Sequence, residues 1–237
     1  MNNSIHRLRW LLSYPKLYAW LISKRRQVNY EKLLYLHSIN KGDVAFDIGA
    51  NIGSFTKLFS ILCGNNGEVH CFEPIPETFA ILMGSINHLQ NVKANNLAAG
   101  DTNTNMVMNY NPTDLEKASL LEINTNVKTC NVEVIRVDDY ISEINLTRLD
   151  FIKCDVEGYE LETLKGMRGT LEAFHPEISL EVTIPHEKKV EMVDLLKSLG
   201  YDYFRKIERG YPEYNPADDT LEPGDYFYLH ATSSSNS

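Results

Sequence analysis

The sequence predicts an α/β fold in which helices cover both faces of a mostly parallel sheet, a doubly wound arrangement. Between residues 44 and 100, short apolar segments typical of buried strands alternate with segments whose apolar residues recur at helical spacing. Such strands suit a parallel sheet buried on both faces, and the alternation suits the crossovers that join parallel strands. Right-handed crossovers then leave few topologies.

The predicted elements follow one another along the chain. A helix ends near Gly42 and a second ends at Gly64, because glycine commonly stops a helix. Helices are expected over residues 29–40, 54–64, 77–89, 160–167 and 188–200. Strands are expected over residues 44–49, 68–74, 92–100, 149–155 and 177–183.

Two segments depart from this alternation. The polar stretch 101–130, rich in Asn and Thr, is predicted to be an inserted loop or hairpin. Two aromatic segments, 201–207 and 225–231, are joined by an acidic loop at 210–224 and predict a C-terminal antiparallel hairpin that closes the sheet edge. The expected organisation is an N-terminal helical extension over 1–41, one domain over 42–231 and a disordered tail over 232–237.

Composition and charge exclude several classes of protein. The chain has 237 residues, of which 43% are hydrophobic, and its four cysteines show no C-x-x-C spacing. We interpret them as reduced, partly buried thiols of a cytoplasmic protein, not as a disulfide framework or a zinc site. The net charge is −9, and residues 1–28 carry +6, so the rest of the chain carries −15. A body this acidic argues against nucleic acid as a partner.

The basic and aromatic N-terminal segment, residues 1–28, has two interpretations. It is interrupted by Pro15 and Lys16 and is too short to span a membrane, and it lacks the cleavage site of a secretory signal. One interpretation is one or two helices that pack on the body or on a second subunit as a dimer contact. The alternative is peripheral attachment to the anionic inner face of a membrane, which basic and aromatic residues suit.

Unusual polar and small residues follow every predicted strand. The clusters are Asp47 to Gly53, Glu73 with Pro74, Ala98 to Asp101, Asp155 to Gly158, and Glu181. In open α/β sheets, ligands bind beyond the carboxyl ends of the strands. Five clusters at equivalent positions therefore predict one shared ligand crevice.

The first two clusters predict the chemistry of the ligand. Gly49 and Gly53 allow a tight turn and a close approach of the backbone, and the helix that opens at Ser54 offers N–H groups to a carboxylate. Glu73, 26 residues after Asp47, is placed to accept both hydroxyls of a ribose. NAD is disfavoured because the loop reads G-A-N-I-G, and Asp47 would repel a pyrophosphate but can pair with an ammonium. S-adenosylmethionine has both an amino-acid end and a ribose.

The segments VAFDIGANIGSFT, CFEP and DFIKCDVEGYELETLKG resemble the FkbM-type family of S-adenosylmethionine-dependent methyltransferases, and the resemblance covers residues 42–207. It implies a Rossmann-like, class I methyltransferase sheet of seven strands and O-methylation of a sugar or another small hydroxylated metabolite. It also implies the residues that hold the cofactor. Asp47, Gly49, Asn51 and Gly53, followed by Ser54, would hold the methionine end, Glu73 with Pro74 the ribose, and Ala98 or Ala99 the adenine.

Methyl transfer to a hydroxyl requires alignment of the reactants and a base within hydrogen-bond reach. Asp155 and Glu157 are the leading candidates for the base, and Glu181 and His186 come next. Three alternatives remain open: Asp155 could cap the following helix, the carboxylates of Asp155, Glu157 and Glu181 could hold a divalent metal, and His186 could face solvent. A metal is not favoured.

The remaining polar residues carry weaker expectations. Ser119 and the loop 111–124 could contact the acceptor, whereas Asp138 and Asp139 are expected in a turn or helix cap without a chemical role. The sequence thus favours a methyltransferase that acts on a hydroxyl of a sugar, glycan or small metabolite. A nicotinamide-dependent sugar oxidoreductase and a nucleoside-binding module without turnover are the alternatives.

Overall fold

The computed structural model describes residues 30–110, 118–119, 128–207, 215–216 and 224–229. Their central sheet has eight strands: β1 (Val44–Ile48), β2 (Glu68–Phe72), β3 (Val92–Asn95), β8 (Phe151–Cys154), β9 (Glu177–Val182), β10 (Tyr203–Lys206), β11 (Asn215–Pro216) and β12 (Gly224–Leu229). A smaller sheet contains β4 (Ala98–Ala99), β5 (Thr104–Tyr110), β6 (Ala118–Ser119) and β7 (Lys128–Ile135). The spatial orders are β11-β10-β12-β9-β8-β1-β2-β3 and β4-β7-β5-β6.

The central sheet confirms the predicted parallel architecture. Strands β3, β2, β1, β8 and β9 are parallel neighbours, and β12 pairs antiparallel with both β9 and β10. Seven of the strands follow the expected plan. The eighth is the two-residue strand β11, which lies in the segment predicted to be a loop and pairs with β10 at the sheet edge.

Seven helices are described: α1 (Tyr30–Ser38), α2 (Ser54–Cys63), α3 (Pro76–Ile86), α4 (Val137–Glu143), α5 (Glu160–Gly166), α6 (Arg168–Phe174) and α7 (His186–Ser198). Helices α1 and α2 pack on the face of the sheet that carries Ala45, Val69 and Phe151. Apolar residues of α4 to α7 pack with Phe46, Ile152 and Ile178 on the opposite face. Both faces are therefore covered, which explains why these strands are apolar throughout.

The predicted third strand, 92–100, is divided between the two sheets. Strand β3 ends at Asn95, and Ala98 and Ala99 pair instead with Val134 and Ile135 of the smaller sheet. Asn96 turns the chain between them, because its side-chain amide donates to the carbonyls of Glu73 (2.8 Å) and Pro74 (3.0 Å). The prediction of one continuous strand was wrong, since side-chain hydrogen bonding by an asparagine competes with the strand ladder.

Strands β5 and β7 pair antiparallel, from Thr104 opposite Val134 to Tyr110 opposite Lys128, so the pairing extends past the predicted insertion 101–130. The C-terminal antiparallel hairpin of β10 and β12 also forms and extends the central sheet beyond β9, with β11 outermost. The predicted helix 160–167 is followed by a second helix, α6, after a break at Met167 (φ −118°).

Several expectations lie outside the described residues, namely those for the N-terminal segment 1–28, most of the loops at 111–127 and 208–223, and the tail. Across the part of the chain that the structure describes, no helix is long and apolar enough to cross a membrane. All four cysteines are free. Cys63, Cys71 and Cys154 are buried and Cys130 is partly buried.

Candidate active site

A crevice of about 700 Å³, which includes its opening to solvent, lies at the carboxyl ends of the central strands. It is lined by residues that follow β1, β2 and β8, among them Gly49, Glu73 and Asp155. Strands β1 and β8 are neighbours from which the chain proceeds to opposite edges of the sheet, so the crevice lies at the switch point of the strand order.

The turn after β1 forms one wall of the crevice. Gly49, Asn51 and Gly53 have φ angles of 82°, 50° and 84°, in the left-handed region. A Cβ atom on Gly49 would lie 1.7 Å from the carbonyl oxygen of Asp155, and one on Gly53 would lie 2.6 Å from Leu82 Cδ1. Glycine is therefore required at both positions, by conformation and by the close approach of neighbouring chain. The predicted tight turn is confirmed.

Asp47 lies on β1 beneath this turn and is 1% exposed. Its Oδ2 accepts a hydrogen bond from Thr56 Oγ1 at 2.6 Å. Its Oδ1 is buried without a hydrogen-bond partner among the described residues. Burial raises the pKa of this carboxyl, and the charge of Lys153 opposes the rise. A buried carboxylate oxygen without a partner is costly, so Asp47 has capacity for a donor that the described residues do not supply.

Glu73 follows β2 and is 5% exposed. Its two oxygens accept hydrogen bonds from the backbone N–H groups of Asn51 and Ile75, both at 3.0 Å. Burial raises the pKa of Glu73 to about 7 despite these hydrogen bonds. Each carboxylate oxygen has a further acceptor site, so the group can receive hydroxyl donors from the crevice.

An apolar slot adjoins Glu73 in the crevice. It is lined by Pro74, Ile75, Leu97, Ala98 and Met108. The predicted residue Ala98 lines this slot through the smaller sheet, and the carbonyl of Ala99 accepts a hydrogen bond from Thr163 Oγ1 at 3.0 Å. Sequence reasoning missed Met108, because it lies on β5 in the insertion and only the pairing of β5 with β7 brings it to the crevice.

The wall formed by the ends of β8 and β9 carries three carboxylates. Oxygens of Asp155, Glu157 and Glu181 lie within 4.8 Å of one another. Asp155 and Glu157 line the crevice, and the turn between them and α5 has left-handed residues at Glu157 (φ 49°) and Gly158 (φ 96°). The structure therefore brings together three of the four residues predicted as candidate bases.

Lys153, which sequence reasoning missed, lies beneath this wall. Its Nζ donates to Asp155 Oδ2 at 2.7 Å, and the residue is 3% exposed. Burial opposes ionisation of Asp155, yet the charge of Lys153 and a hydrogen bond with Glu181 lower its pKa below the ordinary value. Asp155 is therefore held as a carboxylate, which is the form that accepts a proton.

Other predicted residues lie elsewhere. His186 is the first residue of α7 and is exposed; it does not line the crevice, and the alternative that it faces solvent is correct. Ser54 is exposed at the start of α2. The side chain of Ser119 is outside the described residues. His186 and Ser54 therefore do not line the crevice that Asp155 and Glu157 line.

Two predictions concerned helix caps. Asp155 is not the N-cap residue of α5: that position is held by Tyr159, which makes no side-chain cap hydrogen bond. Asp138 is a cap, as predicted, but of α6: its carboxylate accepts from the backbone N–H groups of Gly169 and Thr170 and from Thr170 Oγ1.

Strand order, glycine turn and the acid after β2 together define the class I methyltransferase fold. The chain belongs to the methyltransferase FkbM domain family, which matches residues 47–203. The predicted family is thereby confirmed. A solved structure, methyltransferase FkbM from Methylobacillus flagellatus KT, superposes with a TM-score of 0.56 at 15% identity and covers 89% of this chain and 58% of that chain.

Two curated proteins are similar in sequence. Hexuronic acid methyltransferase AglP of Haloferax volcanii is 26% identical over 140 residues, which are 59% of this chain and 56% of that protein. The 31-O-demethyl-FK506 methyltransferase FkbM of Streptomyces tacrolimicus is 26% identical over 214 residues, 74% of this chain and 80% of that protein. This chain thus spans just over half the length of AglP and of the solved relative.

Proposed function

We propose that the protein is an S-adenosylmethionine-dependent O-methyltransferase whose acceptor is a hydroxyl on a sugar, a glycan or a small hydroxylated metabolite. The observation that carries this proposal is the arrangement of Glu73 and Asp155 on two walls of one crevice. Glu73 has the burial and the free acceptor capacity of a ribose-binding acid. Asp155 is a carboxylate held ionised on the opposite side of the glycine turn.

The residues of the crevice fit the cofactor. When bound, S-adenosylmethionine supplies a methyl group attached to a positively charged sulfur. The unpartnered Oδ1 of Asp47 and the turn at Gly49 and Asn51 would hold its amino-acid end, since a buried carboxylate suits an ammonium. Glu73 would accept from the ribose hydroxyls. The apolar slot that includes Ala98 and Met108 would enclose the adenine.

The acceptor side of the crevice is supplied by the three-carboxylate wall. An acceptor hydroxyl must lose a proton during transfer, and a carboxylate within hydrogen-bond reach contributes about 10²–10⁴-fold to such a step. Asp155 is the preferred base because Lys153 holds it ionised, and Glu181, hydrogen-bonded to it, is placed to share the proton that it takes up. Glu157 lines the same part of the crevice and would orient the acceptor.

The acceptor class rests on the relatives. One relative is named for hexuronic acid, which is a sugar acid. The other is named for 31-O-demethyl-FK506, which indicates methylation of an oxygen. The three carboxylates beside one ammonium make the described part of this wall acidic. An uncharged hydroxylated acceptor suits this wall better than an acidic one, because like charges in a crevice repel.

Calorimetry with S-adenosylhomocysteine and with NAD tests the cofactor. We expect S-adenosylhomocysteine to bind and NAD not to bind, because the spacing of Gly49 and Gly53 and the buried Asp47 suit an amino acid rather than a pyrophosphate. NAD binding without a response to S-adenosylhomocysteine would favour the oxidoreductase instead. Transfer of labelled methyl from S-adenosylmethionine to a panel of neutral, amino and acidic sugars then tests the acceptor. Cofactor binding without transfer to any compound would leave the nucleoside-binding module as the better description.

A further inference from the structure

A row of polar residues crosses the face of the central sheet that α1 and α2 cover. Asp47 on β1 is the register partner of Lys153 on β8, and Lys153 is the register partner of Ser179 on β9. Register partners on parallel strands lie on the same face of a sheet, about 4.8 Å apart. Asp155 lies two residues after Lys153, in the turn beyond β8 and at the crevice, and Glu181 lies two residues after Ser179 on β9. The row is otherwise set among apolar side chains.

Lys153 is the one ammonium group in this row, and it is almost fully enclosed. Its Nζ lies 2.7 Å from Asp155 Oδ2 and 5.0 Å from the centre of the Phe55 ring. Burial alone lowers the pKa of a lysine, but the charges of Asp155 and then Asp47 outweigh it, and the pKa of Lys153 is raised. The positive charge therefore persists in the interior because two carboxylates face it from two strands.

The surroundings of Lys153 hold it in place. Glu31 on α1 adds a third negative charge, whose influence on Lys153 is weaker than that of Asp155 or Asp47. Tyr35 on the same helix is hydrogen-bonded to both Glu31 and Ser179, and its ring packs edge-on against Phe55. A lysine side chain has four rotatable bonds, so burying it in one conformation costs conformational free energy. The enclosure fixes the direction of its N–H donors.

We propose that Lys153 is a positioning residue that holds Asp47 and Asp155 together, so that the acid at the cofactor's amino-acid end and the acid at the acceptor are fixed by one ammonium group. This inference rests on the proposed function. Neither acid is positioned by its own strand alone: Asp47 has only Thr56 as a hydrogen-bonding side chain, and Asp155 lies in a turn beyond β8. The Lys153 ammonium group interacts with both acids and so links the cofactor side of the site to the acceptor side.

Lys153→Met tests this role, because methionine keeps most of the side-chain length and removes the charge. Ser179→Ala is the matched control: Ser179 is a buried register partner on the same face and contacts Tyr35, not the two acids. Thermal unfolding, calorimetry with S-adenosylhomocysteine, and kcat and KM with an accepted sugar are measured for each variant. Breaking a buried ion pair leaves an uncompensated charge, so effects of at least about tenfold are expected.

For Lys153→Met we expect the Kd for S-adenosylhomocysteine to rise at least about tenfold and kcat to fall at least about tenfold, with KM for the acceptor little changed. Lys153→Arg, which restores a charge, should recover part of both. Ser179→Ala should lower the unfolding temperature and leave Kd and kcat within about twofold. A folded Lys153→Met variant with wild-type Kd and kcat would overturn the proposal.

If Lys153→Met does not fold, the double variant Asp47→Asn with Lys153→Met removes the charges of both register partners on β1 and β8. Its kcat should fall at least about tenfold below that of Asp47→Asn alone, because Asp155 has lost its ammonium partner. Equal kcat values, or failure of both methionine variants to fold, would assign Lys153 to stability alone and overturn the proposal. Failure of the wild-type protein to bind S-adenosylhomocysteine would instead contradict the proposed function.

Discussion

The carbonyl oxygen of Asp155 lies 1.7 Å from the position that a Cβ atom on Gly49 would occupy. The turn after β1 and the turn after β8 are thus in direct backbone contact at the switch point of the sheet. Gly49 belongs to the wall proposed for the cofactor and Asp155 to the wall proposed for the acceptor. Because Gly49 has no side chain, the two walls can approach each other this closely.

Gly49→Ala should abolish binding of S-adenosylhomocysteine and lower the unfolding temperature. The methyl group would meet backbone, which cannot move as a flexible side chain can, and the φ angle of 82° is strained for alanine. Gly84→Ala on α3 is the control, since a Cβ there meets nothing within 4 Å; it should leave binding unchanged and stabilise the helix by up to about 1 kcal/mol. Calorimetry and thermal unfolding measure both, and wild-type binding by Gly49→Ala would contradict the close contact.

Binding of S-adenosylhomocysteine should weaken as the pH falls below about 7. Burial raises the pKa of Glu73 to about 7, and only its ionised form accepts from both ribose hydroxyls. The Kd should therefore rise by up to about tenfold per pH unit on the acid side. Calorimetry between pH 5.5 and about 8.5 checks this. Glu73→Gln should bind weakly at every pH and lose the dependence.

Glu177→Gln is the matched control, because burial also raises the pKa of Glu177 to about 7 and this residue begins β9, at the opposite end of the strands. A carboxyl whose pKa is higher in the folded state stabilises the fold most at pH values below its unfolded-state pKa, near 4.5. That stabilisation is lost as the pH rises towards the folded-state pKa of about 7. Both glutamine variants should therefore flatten the fall in unfolding free energy over this range. A pH-dependent Kd that disappears in Glu177→Gln would contradict the assignment to Glu73.

Met108→Ala should weaken binding of S-adenosylhomocysteine about five- to tenfold, because a buried side chain is removed from the apolar slot. It should also lower the unfolding temperature, since Met108 packs in the core of the smaller sheet. Val107→Ala is the control from the next position on β5, where the side chain points away and is 59% exposed. It should bind as the wild type does. If the wild type, Met108→Ala and Val107→Ala bind S-adenosylhomocysteine with equal affinity, strand β5 of the smaller sheet does not contribute to the cofactor site.

Features that depend on local chemistry could be predicted from the sequence. The glycine turn at 49–53 needs left-handed backbone that few other residues adopt, and the acids at 73 and 155 follow apolar strands whose ends must meet at one edge. The division of 92–100 between two sheets was not predicted, since it depends on hydrogen bonds from Asn96 to carbonyls that follow β2.

Lys153 shows why the rest of the site could not be predicted. Within FIKC it resembles a lysine on the solvent side of an edge strand, and nothing local indicates that Asp47, more than 100 residues earlier, faces it. Its role depends on the parallel pairing of β1 with β8. Met108 is similar, because an exposed Val107 and a buried Met108 are distinguished only by which face of β5 meets the crevice.

Asp155→Asn should keep S-adenosylhomocysteine binding and lose most turnover, by about 10²–10⁴-fold, because an amide cannot take up the proton of the acceptor. Asp138→Asn is the control: Asp138 caps α6 through three hydrogen bonds and has no proposed chemical role. It should lower the unfolding temperature and leave turnover unchanged. Full activity of Asp155→Asn with an accepted sugar would remove this residue from the mechanism and leave Glu157 and Glu181 as candidates.

Turnover should persist in an excess of chelator. Although oxygens of Asp155, Glu157 and Glu181 lie within 4.8 Å of one another, Lys153 Nζ already occupies Asp155 Oδ2 at 2.7 Å, and a divalent ion there would be repelled by this buried ammonium. Methyl transfer is measured after dialysis against chelator, and again after adding Mg²⁺ or Mn²⁺, with less than about a twofold change expected. Loss of activity that either ion restores, together with tighter metal binding by Lys153→Met than by the wild type, would show that the carboxylates compete with Lys153 for a metal.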